Sequence, residues 1–328
     1  MSLGFIVGKF YPPHRGHKHL IDVARRQVDH LVVMIAHHIS QKIPGAHRRD
    51  WLKQIHPDCD IRLVPDELAE DPGEWARFTI GYLGRAPDVV FTSESYGEQF
   101  ARHLGCRHVL VDQPRSAVPC SGTLIRSAPL EYLHFLEPCV RQYIVRRVVL
   151  VGAESTGKTT LASLLARTYQ TTWVAEYGRE HWIEKLAGHT VHDPPPAWTP
   201  DEFIHIARTQ QSRENEMASV ANRILVCDTN AFATGLWFKR YMGTRHPEVD
   251  AIGRNDTAHL YLLCEPDIPF VQDGYRDGEF IRHAMHDEFV SLLDKTGVPV
   301  LRLRGNIDTR HSAARAAIDS LIANYRIG

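Results

Sequence analysis

A strand, a glycine-rich turn and a helix follow one another in the second half of the chain. The apolar run Val148–Val151 leads directly into Gly152–Thr159, which matches the pattern G-x-x-x-x-G-K-[ST], and an apolar-patterned segment begins at Leu161. A phosphate-binding loop requires this order, because its glycines let backbone N–H groups curl around phosphates at the N-terminus of a helix. The motif therefore predicts an α/β domain that binds a nucleoside triphosphate.

The residues of this loop have distinct predicted roles. Lys158 is expected to hold the β- and γ-phosphates of ATP, and the Thr159 hydroxyl is expected to bind Mg²⁺. We expect ATP to be bound by Gly152, Ser155, Thr156, Gly157, Lys158, Thr159 and Thr160.

Two further strands of this half end in carboxylates. Glu176 follows Trp173–Ala175, and Asp228 follows Ile224–Cys227. In a doubly wound sheet, ligands lie beyond the carboxyl ends of the strands, so both side chains are expected near the phosphate loop. Asp228 is the expected Mg²⁺ partner, and Glu176 is the preferred base for a hydroxyl that attacks the γ-phosphate.

Tyr177 and Arg179 follow Glu176 and are expected to bind substrate with it. A salt bridge between Glu176 and Arg179, or a solvated helix start, is the alternative interpretation of this carboxylate.

The segment Gln272–Glu279 is polar and glycine-rich, and a helix that carries Arg282 follows it. This pattern indicates a lid in which Arg276 and Arg282 neutralise charge on a transferred phosphoryl group. A plain solvated loop is the alternative.

A small-molecule kinase explains this short domain more economically than a motor does.

Short apolar runs alternate with amphipathic segments along the whole chain, which predicts parallel sheets with right-handed crossovers. The same alternation begins again at Val148, so we predict two α/β domains with doubly wound parallel sheets, 1–145 and 146–328. A helix near 129–143 is expected to join them. Strands are expected at Leu3–Lys9, Leu31–Ala36, Ile61–Val64, Val89–Thr92, His108–Val111, Trp173–Ala175, Ile224–Cys227, Leu260–Leu263 and Val298–Leu303. Helices are expected at Gly16–Gln27 and, in the second domain, near 158–169, 177–187, 200–219, 279–295 and 309–325.

Composition narrows the class of protein. The 328 residues carry a formal net charge of −1, which argues against a general nucleic-acid binder, and 43% of them are hydrophobic, as in globular domains. We find no apolar run of membrane-spanning length and no signal peptide. The six cysteines form no C-x-x-C pair and the twenty histidines no metal motif, which predicts free buried thiols in a reducing cytoplasm and no structural metal.

The first half carries two histidines where its first strand gives way to a helix. The segment Gly8–His17 reads G-K-F-Y-P-P-H-R-G-H, so His14 and His17 are expected to face an anion at the helix N-terminus. Imidazole donors there would stabilise the charge of a pentavalent phosphate. Near the end of this half, Ser121–Ser127 supplies hydroxyls and the guanidinium of Arg126.

These two segments resemble the signatures G-x-F-x-P-x-H-x-G-H and [IS]-S-x-T-x-x-R of the Rossmann-like nucleotidyltransferases, which transfer AMP from ATP and release pyrophosphate. Cys120 stands where that family usually has Ile, and Leu124 where some members have a basic residue. The resemblance implies a requirement for Mg²⁺ and an ATP site with catalytic His14, His17, Lys9 and Arg126, and with binding residues Gly8, Phe10, Gly16, Ser121 and Thr123.

The pairing of this domain with a phosphate-loop kinase resembles the bifunctional NadR family. The resemblance implies that the second domain phosphorylates nicotinamide riboside to its mononucleotide (NMN), and that the first joins NMN to AMP, giving NAD. Trp51 is a candidate for the nicotinamide pocket, with an ordinary amphipathic helix as the alternative. Asn230 stands where the family's pattern has a second Asp.

Some relatives begin with a helix-turn-helix domain, for which the first signature leaves no room here; we expect no operator binding, no nucleic-acid partner and no membrane insertion. Two other hypotheses stay open: an adenylyltransferase for another phosphorylated acceptor, and a nucleotide-sensing regulator with one catalytically inactive domain. A homo-oligomer is also left open.

Overall fold

The computed structural model describes residues 1–68, 71–187, 196–273 and 278–328. These residues form two compact units. The first comprises Met1–Arg141 and Tyr325–Gly328, and the second comprises Gln142–Asn324.

The first unit is an α/β unit around a five-stranded parallel sheet. Its strands are β1 (Leu3–Gly8), β2 (His30–His37), β3 (Asp60–Pro65), β4 (Val89–Thr92) and β5 (Arg107–Leu110). Its helices are α1 (Arg15–Arg25), α2 (Gly45–Ile55), α3 (Pro72–Leu83), α4 (Gly97–Leu104), α5 (Gly122–Ser127) and α6 (Pro138–Ile144), the last of which continues across the division between the units.

The strand order of this sheet is β3-β2-β1-β4-β5, with every neighbouring pair parallel. Helices cover both faces, so the central strands are apolar on both sides. One core layer contains Ile6, Val33 and Phe91, and the opposite layer contains Phe5, Met34 and Val90. From β1 the chain adds β2 and β3 on one side of the sheet and later β4 and β5 on the other side. This reversal of direction places a crevice at the carboxyl end of β1.

The second unit repeats this architecture. Its strands are β6 (Arg146–Val151), β7 (Trp173–Val174), β8 (Ile224–Asp228), β9 (Leu260–Cys264) and β10 (Val300–Leu303). Its helices are α7 (Lys158–Thr168), α8 (Tyr177–Lys185), α9 (Pro200–Ala218), α10 (Ala231–Met242), α11 (Pro247–Arg254), α12 (Arg282–Leu293) and α13 (Ile307–Asn324).

The second sheet is also parallel, in the order β10-β9-β6-β8-β7. Strand β6 lies in the middle and is almost entirely buried, with α7 and α13 packed on one side through Leu161, Leu165 and Ile318. The loop that follows β6 therefore starts from the buried centre of the sheet.

The prediction of two α/β units with parallel sheets is confirmed, but the helix expected near 129–143 is wrong in extent. The structure has a short 3₁₀ turn, Leu133–Phe135, followed by α6. Pro138 explains the break: it has no N–H to donate and occupies the first turn of α6. The segment His189–Pro200, whose three consecutive prolines predict a surface loop, lies largely outside the described residues.

All six cysteines are free; Cys120, Cys227 and Cys264 are buried, as the sequence predicts, whereas the other three are only partly buried. Across the described ranges, every helix is too short or too polar to cross a membrane.

Candidate active sites

The loop between β6 and α7 has positive backbone φ angles at two glycines, a conformation that favours glycine. Gly152 has φ +143° and Gly157 has φ +80°. A Cβ atom on Gly152 would lie 2.7 Å from the carbonyl oxygen of Cys264. The glycines of the motif are therefore required by this turn, which ends at the N-terminus of α7, where a helix favours anions.

Lys158 and Thr159 are the first residues of α7, and both contact groups around the loop. The Lys158 ammonium is buried and donates to the carbonyl oxygens of Gly152 and Ala153 at 3.0 and 2.9 Å. The Thr159 hydroxyl donates to Asp228 Oδ2 at 2.5 Å. The structure thus brings together the loop and the carboxylate at the end of β8, as expected.

Two buried arginines fasten the backbone of this loop. Arg282 donates to the carbonyl oxygens of Ser155 and Ile268, at 3.0 and 2.8 Å. Arg310 donates to the carbonyl oxygen of Thr156 at 2.6 Å. Arg310 was not predicted, because it lies in α13, 154 positions after Thr156, and belongs to no recognisable pattern. Arg282 contacts the loop, while its role toward a phosphoryl group stays a prediction.

Glu176 and Asp228 have different electrostatic environments. Burial raises the pKa of Glu176 to about 7, with the charge of Lys158 opposing the rise and that of Asp228 adding to it. Burial also raises the pKa of Asp228, opposed by Lys158 and by the hydrogen bond from Thr159. Glu176 therefore has the affinity for a proton that a base near neutral pH needs.

A cleft of about 160 Å³ joins the phosphate loop to a wall of aromatic side chains. Its polar end contains the loop residues 154–160 together with Glu176 and Arg179. Its other end is formed by the aromatic wall, which consists of Trp182, Trp198, Phe203, Trp237 and Tyr241. The rings touch one another: those of Trp182 and Trp198 stack with centroids 4.8 Å apart.

The aromatic wall was missed by the sequence analysis. Its members come from α8, α9, α10 and the residues before α9, and no helix was predicted where α10 lies. One signal was available, because three of the six tryptophans of the chain line this cleft. Gln210 was also missed; it lines the cleft and accepts from the Tyr177 N–H at 2.9 Å.

The remaining predicted residues of this unit are not all in the cleft. Tyr177 is buried, and its hydroxyl pairs with His205 Nε2 at 2.9 Å instead of facing the cleft. Arg179 lines the cleft and donates to Asp273, in the segment expected to form a lid. Arg276 lies outside the described residues. Asn230 is fully buried and donates to the Tyr261 hydroxyl at 3.3 Å.

In the first unit, His14 and His17 form a reciprocal cap at the start of α1. The backbone N–H of His17 donates to His14 Nδ1, and the backbone N–H of His14 donates to His17 Nδ1, both at 3.3 Å. The two rings stack with centroids 3.6 Å apart. Gly16 lies between them, and a Cβ there would make a tight contact, 3.0 Å from the His14 ring.

This cap fixes the protonation of both imidazoles. A backbone N–H can only donate, so each Nδ1 must accept and each neutral ring carries its proton on Nε2. Burial, with help from Arg115 and Arg126, lowers the pKa of His14 to about 4. Burial, together with the charges of His14 and Arg115, lowers that of His17 well below its usual value. Both rings are therefore neutral Nε2–H donors at pH 7.

The second signature lies beside this pair. Ser121 caps α5, its Oγ accepting from the Leu124 N–H at 3.1 Å. Arg126 donates to the carbonyl oxygen of Tyr11 at 2.8 Å and to the Thr123 hydroxyl at 3.1 Å. Cys120, which replaces the usual Ile, places Sγ 3.4 Å from His14 Nδ1.

Other residues around this site support it indirectly. Phe10 is buried below His17, with ring centroids 4.8 Å apart, and Gly8 packs on Phe10. Lys9 is exposed and pairs with Asp66 at 3.3 Å. Arg115 acts electrostatically on both histidines, and the sequence analysis did not include it among the site residues.

Trp51 lies in α2, is buried, and stacks on His47. Its predicted contact with a nicotinamide ring stays a prediction.

Comparisons with known proteins find two family models that match the chain. A cytidylyltransferase-like family model matches residues 5–128, and an AAA domain model matches residues 147–310. The chain is 30% identical over 327 residues to the Trifunctional NAD biosynthesis/regulator protein NadR of Escherichia coli strain K12, covering 92% of this chain and 78% of that protein.

Two solved structures share the fold. A crystal structure of NadR protein in complex with NR is 21% identical, covers 99% of this chain and 97% of its own, and has a TM-score of 0.78. A crystal structure of NadR protein in complex with NAD and AMP-PNP, also 21% identical, covers 98% of this chain and 96% of its own, with a TM-score of 0.75.

Proposed function

The chain belongs to the NadR family, and on that premise we propose that it is a bifunctional enzyme of NAD salvage. The second domain, 146–328, phosphorylates the 5′-hydroxyl of nicotinamide riboside with ATP. The first domain, 1–145, transfers AMP from a second ATP to the resulting NMN and releases pyrophosphate, giving NAD. Both reactions use ATP, which fits the cytoplasmic location expected from the sequence.

The observation that carries the kinase assignment is the cleft in which the phosphate loop meets the aromatic wall. Nicotinamide riboside contains a pyridinium ring with a permanent positive charge. Aromatic faces attract such a cation, and this attraction strengthens where water is excluded. The cleft therefore suits an acceptor that is a flat cation at one end and an alcohol at the other.

The residues around Thr159 and Asp228 fit Mg²⁺. Their contacting atoms are a hydroxyl and a carboxylate, the oxygen ligands that this ion prefers, and it usually keeps several water and phosphate ligands. Asp228 Oδ1 is buried and has no hydrogen-bond partner among the described residues. Within those same ranges, no group of three or more His, Cys, Asp and Glu side chains could form an all-protein cage for a metal ion. Bound there, Mg²⁺ would offset charge on the phosphates of ATP.

In the kinase reaction, the chain's own groups position the reactants and move one proton. Two of the three N–H groups of Lys158 donate to loop carbonyls, which leaves the third for a phosphate oxygen. Glu176 takes the proton of the 5′-hydroxyl as that oxygen attacks the γ-phosphorus and ADP leaves.

In the adenylyl-transfer reaction, the nucleophile needs no base, because the phosphate of NMN is already ionised near pH 7. Its oxygen attacks the α-phosphorus of ATP, and pyrophosphate leaves. The Nε2–H groups of His14 and His17 donate to the phosphate oxygens, and Arg126 and Arg115 add fixed positive charge. Neutral donors with a fixed orientation stabilise the developing charge without reorganising during the reaction.

The test uses the full chain with ATP, Mg²⁺ and either nicotinamide riboside or NMN, with products separated by chromatography. Lys158→Ala should abolish riboside phosphorylation and leave the conversion of NMN to NAD unchanged. His17→Ala should lower NAD formation from NMN about 10²- to 10³-fold and leave the kinase reaction unchanged. If the wild-type protein consumes neither substrate, or if either variant loses both reactions while remaining folded, the proposal is wrong.

A further inference from the structure

The helix that carries Arg126 is too short to be stable by itself. Helix α5 has six residues, and isolated helices of that length are marginal because nucleation is costly. The last carbonyl groups of any helix also lack partners within it. The position of Arg126 therefore depends on contacts from outside α5.

One such contact comes from the opposite end of the sequence. Residues Tyr325–Gly328, here called the C-terminal segment, follow α13 of the second unit but belong to the first unit. The backbone N–H of Ile327 donates to the carbonyl oxygen of Arg126 at 3.1 Å. Ile327 is 3% exposed, whereas its neighbours Arg326 and Gly328 are exposed. Ile327 is thus a buried anchor of the segment.

The side chain of Arg126 is held by a separate set of contacts. Its guanidinium donates to the Tyr11 carbonyl at 2.8 Å and lies over the Tyr11 ring, 5.4 Å from the centroid. The Tyr11 hydroxyl in turn accepts from the Lys42 N–H at 2.9 Å. The backbone and the guanidinium of Arg126 are therefore fixed from two sides, by Ile327 and by Tyr11.

We propose that the C-terminal segment is a positioning element of the adenylyl-transfer site. By holding the carbonyl of Arg126 through Ile327, it sets where the guanidinium meets the triphosphate of ATP. The inference rests on the proposed function, because it assigns the segment to the reaction of the first domain. The adenylyl-transfer activity of the first domain therefore depends on residues that directly follow the last helix of the second unit.

The test compares Ile327→Ala, Ile327→Leu and Arg326→Ala in the full chain. Ile327→Ala removes the apolar anchor, and we expect the KM for ATP in the conversion of NMN to NAD to rise about tenfold, because small displacements of binding groups are costly. The kcat of that reaction should change less, and the kinase constants should not change. Ile327→Leu keeps both volume and N–H and should restore the wild-type KM. Arg326→Ala is the matched control and should resemble wild type.

A readout without turnover separates positioning from general stability. In a Lys158→Ala background, which removes the ammonium of the kinase site, calorimetry should give about a tenfold weaker ATP affinity when Ile327→Ala is added. An unchanged KM and affinity in Ile327→Ala would overturn the inference. A parallel loss of both activities with a lowered unfolding temperature would overturn it too. If wild-type protein makes no NAD from NMN, the proposed function itself fails, which is a different result.

Discussion

Glu176 shows how one carboxyl group acquires a role through its surroundings. Burial in the cleft raises its pKa to about 7, although Lys158 favours its ionised form. Asp228 has Thr159 as a hydrogen-bond donor, and Glu176 caps no backbone group of α8 with its side chain. The sequence could place both carboxylates at strand ends, but it left open which one is the base. The difference in partners favours Glu176.

Replacement of Glu176 tests this assignment. Glu176→Gln removes the proton acceptor and should lower kcat of riboside phosphorylation by about 10²- to 10⁴-fold. A base must be ionised to act, so wild-type kcat/KM for the riboside should rise with pH up to about 7 and then level off. The variant should lose this limb of the profile. The measurement is the pH dependence of phosphorylation by each protein.

Glu184→Gln is the matched control, because it makes the same change on an exposed residue of α8. It should keep both the rate and the pH profile of wild type. If kcat/KM of Glu176→Gln still rises with pH up to about 7, another group is the base.

The two histidines mark the limit of sequence reasoning at this scale. Their spacing predicts a pair at the start of a helix, and the structure places them there. Their tautomers were not predictable, because these follow from which ring atom each backbone N–H reaches. Arg115 and the aromatic wall were missed for a related reason: their relevance comes from packing between distant segments.

At the scale of elements, α9 contributes Phe203, Ile206 and Gln210 to the lining of the cleft. The helix begins with a capping box between Thr199 and Glu202. Lys185 also donates to both oxygens of Glu202, at 2.6 and 2.7 Å. The start of α9 is thus fastened to the end of α8, and one carboxylate makes the connection.

The charge of Glu202 should stabilise this unit in a pH-dependent way. Although burial opposes it, bonds from Lys185, Thr199 and His181 lower the Glu202 pKa from 4.5 to about 2. A depressed pKa contributes stability above the unfolded value, which is lost as pH falls from about 4.5 toward about 2. Glu202→Gln should therefore reduce the free energy of unfolding by about 1–2 kcal/mol near neutral pH.

Urea unfolding of wild type and Glu202→Gln, at about pH 7 and about pH 3, measures this contribution. The gap between the two proteins should shrink at the lower pH, since wild-type Glu202 is then closer to losing its charge. Glu216→Gln, an exposed change in α9, is the control and should leave stability unchanged at both pH values. A gap that stays equal at both pH values would argue against a charge effect.

Elements whose burial follows from composition were the most predictable. Strands buried on both faces are continuous apolar runs. The predicted strand Val89–Thr92 therefore agrees with the structure, and the predicted strand Leu260–Leu263 is one residue shorter than the observed Leu260–Cys264. Helices α10 and α11 were not predicted. The apolar residues of α10 face several neighbours, including α9 and Tyr261, so they show no single apolar stripe.

At the scale of the whole molecule, the restart of the strand–glycine–helix pattern was enough to predict two α/β units. The return of Tyr325–Gly328 to the first unit was not predictable, because a four-residue segment carries no periodicity, and the burial of Ile327 becomes evident only in the folded chain. The residues of each candidate site nevertheless come from a single unit. His14, His17 and Arg126 belong to the first, and Lys158 and Asp228 to the second.

This separation gives a prediction about the complete pathway from riboside to NAD. Lys158→Ala protein retains the adenylyl-transfer site, and His17→Ala protein retains the kinase site. Lys158→Ala alone should make no NAD from nicotinamide riboside and ATP, and His17→Ala alone should make it about 10²- to 10³-fold more slowly than wild type. An equal mixture should make it after a lag, because NMN released by one protein has to accumulate before the other can use it.

Chromatography of NMN and NAD over time checks this expectation, and protein carrying both substitutions in one chain is the control that should give no NAD. The lag should shorten when NMN is added at the start, since added NMN bypasses the kinase. If each variant keeps its own reaction but the mixture yields no NAD, NMN is not released between the two steps. The two sites would then have to act on the intermediate within one molecule, and independent sites would be the wrong description of this protein.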